Sequence, residues 1–231
     1  EFLDGLHDLH IGEWRKFYNL KRFGYMVCDG TQWELEIHYG NGKKCVTIYG
    51  DNAYPYNYMI GSEAMRQEAV GYLKLCFDMA KEMGADYTLI SAGHAGYGAT
   101  YDEIWERLIR SVRELTDHAE SIGMKIVMEA LTVYESNVIK SANDLQKLFK
   151  EIDSPCLVGM CDLVPPFTQF ESIMDYFDKL GDKMYHLHLI DGVRDSDDHV
   201  MPGEGQIPMR ELIKELKEID YDRTATIELV T

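Results

Sequence analysis

The sequence lacks long apolar runs and is poor in positive charge. Its longest apolar stretches, such as residues 125–131, have the length of a strand, whereas a helix that crosses a bilayer needs about 20 apolar residues. Lys and Arg total 23 against 40 Asp and Glu, which gives a formal net charge of −17. A field of that sign repels nucleic acid and anionic membrane surfaces. The composition therefore predicts a soluble protein with no nucleic-acid or membrane partner.

Cysteine is scarce, and the first residues show no secretory leader pattern. The five cysteines are an odd number without a pairing pattern, which indicates reduced thiols in a cytoplasmic protein. Hydrophobic residues make up 45% and charged residues 27% of the chain, and no low-complexity linker interrupts it. These proportions predict one globular domain over residues 1–231.

Short apolar runs alternate with longer segments of helical period. That alternation predicts an α/β protein built from βα units around a parallel sheet. Gly84 and Gly123 stand where two of the helices should end. The candidate strands are residues 33–38, 45–49, 87–91, 125–131, 157–161, 185–190 and 224–230, and the candidate helices are residues 63–83, 102–122, 142–151, 171–180 and 209–218.

The candidate strands fall one short of a closed (β/α)8 TIM barrel. Only about six residues separate the first two strands, which is too few for the crossover helix that joins parallel strands. We therefore expect a TIM barrel that is incomplete or irregular at the N-terminus and that lacks its last helix in this chain.

Ligand-type side chains lie at or near the C-terminal ends of successive candidate strands. In a parallel barrel the chemistry lies at the C-terminal ends of the strands. Taken singly, Asp162 could cap the following turn and His188 could be an ordinary core histidine. Their placement together with similar residues indicates one shared site. The residues are His94, Glu129, Asp162, His188 and Glu228.

The three acids in this group would repel each other strongly at one barrel mouth unless a cation lay between them. Two Glu, one Asp and one imidazole form a mixed oxygen and nitrogen donor set. That set suits Mn, Co, Ni or Mg better than a structural zinc, which favours thiolates, although Zn is a further candidate. We expect one divalent metal ion with open positions for two oxygens of a substrate.

Two loops are candidates for the rest of the site. The aromatic Tyr54 and Tyr56 follow a candidate strand and could wall a sugar site or pack as an ordinary loop. The segment HVMPGEG begins at His199. Its glycines either permit close backbone approach to a ligand or form a plain turn.

At these residues the sequence resembles the xylose-isomerase-like superfamily of TIM-barrel sugar isomerases and epimerases. The resemblance is nearly continuous over residues 54–231. It implies that Glu129, Asp162, His188 and Glu228 hold the metal. The first histidine of HLH, His186, lies two residues earlier on the same face of the strand, so we expect it deeper in the barrel. The matching segments are YPYN (54–57), AKEMGADYTLISAGHAGY (80–97), YESNV (134–138), MDYFDKLGD (174–182), HVMPGEG (199–205) and IELVT (227–231).

The resemblance also implies a reaction: inversion of C3 of a ketose through a cis-enediolate, with Glu129 and Glu228 as the acid and base pair. Members that act on free hexuloses have a histidine three residues after the metal aspartate, where this chain has Pro165. The implied substrate is therefore a ketose with an amino-acid substituent, fructoselysine and its C3 epimer psicoselysine. The implied substrate contacts are His94, Tyr56, Arg194 and His199.

Other functions stay open on the sequence. One is a general ketohexose 3-epimerase or isomerase, and another is a metal phosphodiesterase on the apurinic-endonuclease plan, for which Asp197 and His199 match a zinc-binding pair. The acidic charge and the lack of further zinc histidines count against the phosphodiesterase. A non-catalytic sugar-binding barrel would not need four metal ligands. We expect a small-molecule sugar as partner and a homo-oligomeric protein.

Overall fold

The computed structural model describes residues 58–59 and 61–228 with their side chains, and the backbone of three strands that precede them. These strands are β1 (Phe17–Tyr18), β2 (Thr31–Tyr39) and β3 (Lys44–Asn52). The chain divides into two compact units, Glu1–Pro55 and Tyr56–Thr231. The single barrel domain over residues 1–231 stays a prediction.

In the first unit the strands form a small sheet of their own. Strand β2 pairs antiparallel with β3, from Thr31 opposite Asn52 to Tyr39 opposite Lys44, and β1 pairs parallel with β3. The expectation that the segments 33–38 and 45–49 belong to the parallel sheet is therefore wrong. The physical reason is the short connection, which can join antiparallel neighbours but cannot hold a crossover helix.

The second unit alternates strands and helices, as the sequence predicts. Five parallel strands form one sheet in the order β4-β5-β6-β7-β8. The elements are α1 (Glu63–Glu82), β4 (Tyr87–Ser91), α2 (Tyr101–Ile122), β5 (Lys125–Glu129), α3 (Ala142–Glu151), β6 (Leu157–Asp162), α4 (Val164–Thr168), α5 (Met174–Leu180), a 3₁₀ turn (Gly181–Lys183), β7 (Met184–His188), α6 (Met209–Glu218) and β8 (Thr224–Thr226).

Helix α2 shows how local signals set these elements. Thr100 and Glu103 form a reciprocal capping box at its start, and Gly123 ends it in the left-handed conformation at φ 66°. Its inward stripe, which includes Leu108 and Leu115, is fully buried. The sequence did not predict α4, because Pro165 and Pro166 indicate a loop, yet proline is tolerated in the first turn of a helix.

The sheet separates two apolar layers. The larger layer packs between the sheet and the helices, and a smaller one on the inner face includes Val127, Val158 and Met160. The Tyr87 hydroxyl on β4 lies 3.1 Å from the Thr224 hydroxyl on β8, so the first and last strands of this sheet approach each other. The sheet is thus a curled half-barrel of the predicted class, and its carboxyl ends meet at one mouth. No helix in the described part of the chain is both long enough and apolar enough to cross a membrane.

Candidate active site

Four of the predicted side chains converge at the carboxyl end of the sheet. Glu129, Asp162 and His188 are the last residues of β5, β6 and β7, and Glu228 follows β8 by two residues. One ligand atom from each lies within 4.8 Å of the others. The parallel register places Asp162 directly beside His188. Neighbouring strands that end at the same level therefore bring residues far apart in the sequence to one point.

The centre of this group is one imidazole nitrogen. The Nδ1 atom of His188 lies 2.8 Å from Glu228 Oε2, 3.2 Å from Glu129 Oε1 and 3.3 Å from Asp162 Oδ2. One ring N–H can donate well to one acceptor, so it cannot satisfy three carboxylates at once. The three carboxylate oxygens and the imidazole nitrogen therefore already face one another as the ligands of a metal cation would.

The titration behaviour of the group reflects burial and crowding. Burial raises the pKa of Glu129 to about 7, and the neighbouring carboxylate of Asp162 adds to the effect. Burial by itself lowers the pKa of His188, but the three carboxylates around its Nδ1, which favour the protonated ring, raise it to about 12. The hydrogen bond from His188 lowers the pKa of the half-buried Glu228. Positive charge is thus favoured at the point where the four side chains meet.

His199 also reaches this group. Its Nδ1 lies 3.6 Å from Glu228 Oε2, and its Nε2 lies 3.9 Å from Asp162 Oδ2. Its Nδ1 is buried and has no hydrogen-bond partner among the described residues. The imidazole is therefore placed to accept or donate a hydrogen bond beside the carboxylates.

The loop that carries His199 is folded around the buried Asp191. The Asp191 carboxylate accepts hydrogen bonds from the backbone N–H groups of Gly192, Gly203 and Ile207, each at 2.9 Å. Asp191 and Val200 also form an antiparallel bridge. These contacts fix the conformation of the HVMPGEG segment. The sequence alone did not decide whether its glycines belong to a ligand-binding loop or to a plain turn.

Two other predicted substrate contacts, His94 and Arg194, lie in loops at the same end of the sheet. His94 follows β4, accepts a hydrogen bond from the Gly96 N–H at 3.0 Å, and has its pKa lowered by burial. Arg194 follows β7 in the loop that carries His199. Tyr56 lies outside the described residues. His186 is buried and hydrogen-bonds Thr224 and Thr226 across to β8, deeper than His188, as predicted.

Glu135 is a further acid at the mouth that the sequence analysis did not single out. Burial raises its pKa to about 7, and the charges of Asp197 and Asp162 contribute. It accepts a hydrogen bond from the Thr132 hydroxyl at 3.0 Å. The segment YESNV, in which it lies, was noted for its resemblance only. The signal that could have identified Glu135 is its place in the loop directly after the Glu129 strand.

Comparisons with known proteins agree with this architecture. The family model described as "Xylose isomerase-like TIM barrel" matches residues 38–231. The fructoselysine 3-epimerase of Shigella flexneri is 50% identical over 180 residues, which are 78% of this chain and 65% of that protein. The D-psicose 3-epimerase of Enterocloster bolteae is 30% identical over 122 residues, 53% of this chain and 39% of that protein.

A solved structure agrees as well. The crystal structure of a D-tagatose 3-epimerase-like protein superposes with a TM-score of 0.69 at 25% identity, over 75% of this chain and 66% of that one. The chain thus spans 65% of the length of the fructoselysine 3-epimerase and 66% of that of the D-tagatose 3-epimerase-like protein, or about two thirds of each. Both the described half-barrel and the extent of the family match lead to one conclusion: the chain belongs to the xylose isomerase-like TIM-barrel family.

Proposed function

We propose that this protein is a divalent-metal-dependent 3-epimerase that inverts C3 of a ketose derivative, fructoselysine or psicoselysine. The observation that carries the proposal is the convergence of Glu129, Asp162, His188 and Glu228 on one point. The 50% identity to a fructoselysine 3-epimerase supports the choice of substrate.

The donor set fits a divalent metal ion. Three carboxylate oxygens and one imidazole nitrogen surround a point where only a positive charge would relieve the repulsion between the acids. Mn, Co, Ni or Mg, or alternatively Zn, suits such a mixed set. A metal held there would polarise the substrate carbonyl as a Lewis acid and stabilise negative charge on its oxygen.

Glu129 and Glu228 are the proposed acid and base pair. Epimerisation beside a carbonyl needs a base on one face of the carbon and an acid on the other. One glutamate takes the proton from C3, the electron pair of the broken C–H bond forms the C2–C3 double bond, and the carbonyl π pair moves to O2, which gives the cis-enediolate. The other glutamate then gives a proton to C3 from the opposite face, where the C2–C3 π pair forms the new C–H bond and an electron pair of O2 re-forms the carbonyl. The two exchange roles when the reaction runs in reverse.

The remaining polar residues at the mouth would orient the substrate. We assign this role to His94, His199, Arg194 and Tyr56, and add Glu135 because its half-buried carboxyl lies close enough to Asp162 and Asp197 for their charges to raise its pKa. Asp162 and His188 would act as metal ligands only. We propose in addition that the protein is cytoplasmic and homo-oligomeric.

A general ketohexose 3-epimerase is the second candidate, because D-psicose 3-epimerase relatives match part of the chain. One experiment separates the two. The protein is incubated with Mn, Co or Ni in heavy water, with fructoselysine or with free psicose and tagatose, and deuterium at C3 is followed by NMR. We expect faster incorporation into fructoselysine. A kcat/KM for a free hexulose equal to or above that for fructoselysine would replace our proposal with the general one.

A further inference from the structure

Strand β8, which leads to Glu228, is the shortest strand of the parallel sheet and lies at its edge. It has three residues, all exposed, and among the described strands it pairs with β7 only. The paired residues run from His186 opposite Thr224 to His188 opposite Thr226. Glu228 lies two residues beyond the last of these pairs, so the backbone pairing alone gives its side chain little support.

The side chain of His186 joins β7 to β8 a second time. This residue is 2% exposed. Its Nδ1 lies 2.8 Å from the Thr224 hydroxyl and its Nε2 lies 3.0 Å from the Thr226 hydroxyl. The Tyr87 hydroxyl on β4 lies 3.2 Å from the same Nδ1. A neutral imidazole has one donor and one acceptor, and a hydroxyl can take either role, so both ring nitrogens are satisfied whichever one carries the proton.

This network lies one layer below the carboxylate group. Side chains on one face of a strand recur every second residue. Thr226 therefore faces His186, while Glu228, the next residue in the alternation, faces His188 with 2.8 Å between Oε2 and Nδ1. The His186 ring also meets the His188 ring edge-on, with 5.5 Å between the ring centres and 89° between the planes. One side chain thus contacts both His188 and the strand that carries Glu228.

Glu228 needs such support more than the other three acids and bases of the group. Its side chain is 43% exposed, whereas those of Glu129, Asp162 and His188 are at most 10% exposed. Packing therefore confines Glu228 least. A misplacement of about 1 Å in a group that moves a proton can cost about 100-fold in rate.

We propose that His186 is a positioning residue: through the Thr226 hydroxyl and the His188 ring, it fixes Glu228 relative to His188. This inference rests on the proposed function, in which Glu228 is both a metal ligand and one of the acid and base pair. The competing interpretation is a core histidine that stabilises the fold and nothing more. The two differ in what the loss of one hydroxyl does to metal affinity.

The first test is a pair of substitutions at Thr226. Thr226→Val removes the hydroxyl and keeps the branched shape, whereas Thr226→Ser keeps the hydroxyl and loses the methyl group. In Thr226→Val the Kd for Mn, measured by calorimetry, should rise about 10- to 100-fold, the usual effect of losing a partner behind a metal ligand. Its kcat for deuterium incorporation into fructoselysine should fall while KM changes little. Thr226→Ser should stay near the wild type in both.

Thr224→Val is the matched comparison on the same strand. It removes the other threonine hydroxyl from His186, but the Tyr87 hydroxyl remains at Nδ1 and the bond from Nε2 is kept. Its Tm should fall as in Thr226→Val, because each variant loses one hydrogen bond of a buried ring, yet its Mn affinity should stay close to that of the wild type.

A double-substitution cycle tests His186 itself. His186→Phe keeps a ring against His188 but loses both hydrogen bonds, so it should weaken Mn binding as Thr226→Val does. The double variant should bind Mn no more weakly than His186→Phe alone, because both changes remove the same hydrogen bond. The comparison at Thr226 does not depend on this variant and stands by itself if His186→Phe does not fold.

Three outcomes would overturn the inference: a Kd for Mn in Thr226→Val within about twofold of the wild-type value, an equal loss in Thr226→Ser, or an equal loss in Thr224→Val. Each would leave His186 as a core residue. Weaker Mn binding by Thr226→Val alone, with no deuterium incorporation by the wild type, would support this inference and contradict the proposed epimerase. Incorporation by the wild type with Mn affinity unchanged in Thr226→Val would do the reverse.

Discussion

Glu228 differs in exposure from Glu129, its proposed partner in the acid and base pair. Its side chain is 43% exposed, whereas that of Glu129 is 10% exposed. Replacing Glu228→Gln keeps an oxygen that can ligate but removes the exchangeable carboxyl proton. We expect kcat to fall by about 10²- to 10⁴-fold, the usual contribution of a general acid or base, while part of the metal stays bound.

For this variant, turnover is measured by deuterium exchange and bound metal by elemental analysis. The matched control is Glu218→Gln on the surface of α6, which should change neither. Near-normal activity of Glu228→Gln would remove Glu228 from the acid and base pair.

Asp191 gives a prediction on pH. Burial by itself would raise its pKa, but hydrogen bonds from backbone N–H groups, that of Ile207 foremost, lower it below the ordinary value. A carboxyl whose folded pKa is lowered stabilises the fold above its unfolded pKa, near pH 4, and loses that contribution as the pH falls through the folded value. Asp191→Asn should therefore be less stable than the wild type by about 1–3 kcal/mol at pH 7.

The difference in the free energy of unfolding between the wild type and Asp191→Asn should shrink as the pH falls below about 4. Urea unfolding at several pH values measures it. A difference that stays constant down to acid pH would show that the charge of Asp191 has no part in holding the loop.

At the scale of the element, the loop between β7 and α6 depends on a close approach at Gly205. A Cβ there would lie within 2.6 Å of the Asp191 carboxyl carbon and the Gly192 carbonyl oxygen. Gly205→Ala should destabilise the protein by about 1–3 kcal/mol, as overpacking usually does. It should also lower activity, because the same loop carries His199.

Gly71 in the middle of α1 is the matched control. A Cβ there meets nothing within 4 Å, and the position is exposed. Gly71→Ala should stabilise the helix by about 0.5–1 kcal/mol. Thermal unfolding compares both variants, and a Gly205→Ala protein as stable as Gly71→Ala would contradict the tight packing of the loop.

At the scale of the whole molecule, the four proposed ligands lie at or just beyond the ends of four different strands, so bound metal should stabilise the folded protein as a unit. Mn at 100 times its Kd should add about 2.7 kcal/mol to the free energy of unfolding, because the unfolded chain has no assembled site. A chelator should reverse the rise in Tm. Glu129→Gln should reduce the rise, whereas Glu135→Gln, which removes a half-buried acid outside the four, should keep it. An identical Tm with and without Mn would argue against a metal site in these residues.

The sequence by itself determined the α/β class, the order of the strands and main helices over residues 63–226, without the short α4, and the four strand-end side chains. These follow from local causes. Apolar periodicity distinguishes helices from strands, and glycine stops such as Gly123 end the helices. The ligand types are recognisable because each stands at the end of an apolar run, as Glu129 does after IVM.

Only the tertiary structure decided how these side chains meet. The parallel register sets Asp162 beside His188, and the curl of the sheet brings β8 towards β4. Glu135 and the Arg194 stack with Phe167 and Phe170 arise from loops, whose paths depend on contacts between distant segments rather than on periodicity. The hairpin of β2 and β3 was missed for the same reason: strand propensity predicts a strand, but the partner and direction of pairing are set by long-range hydrogen bonds.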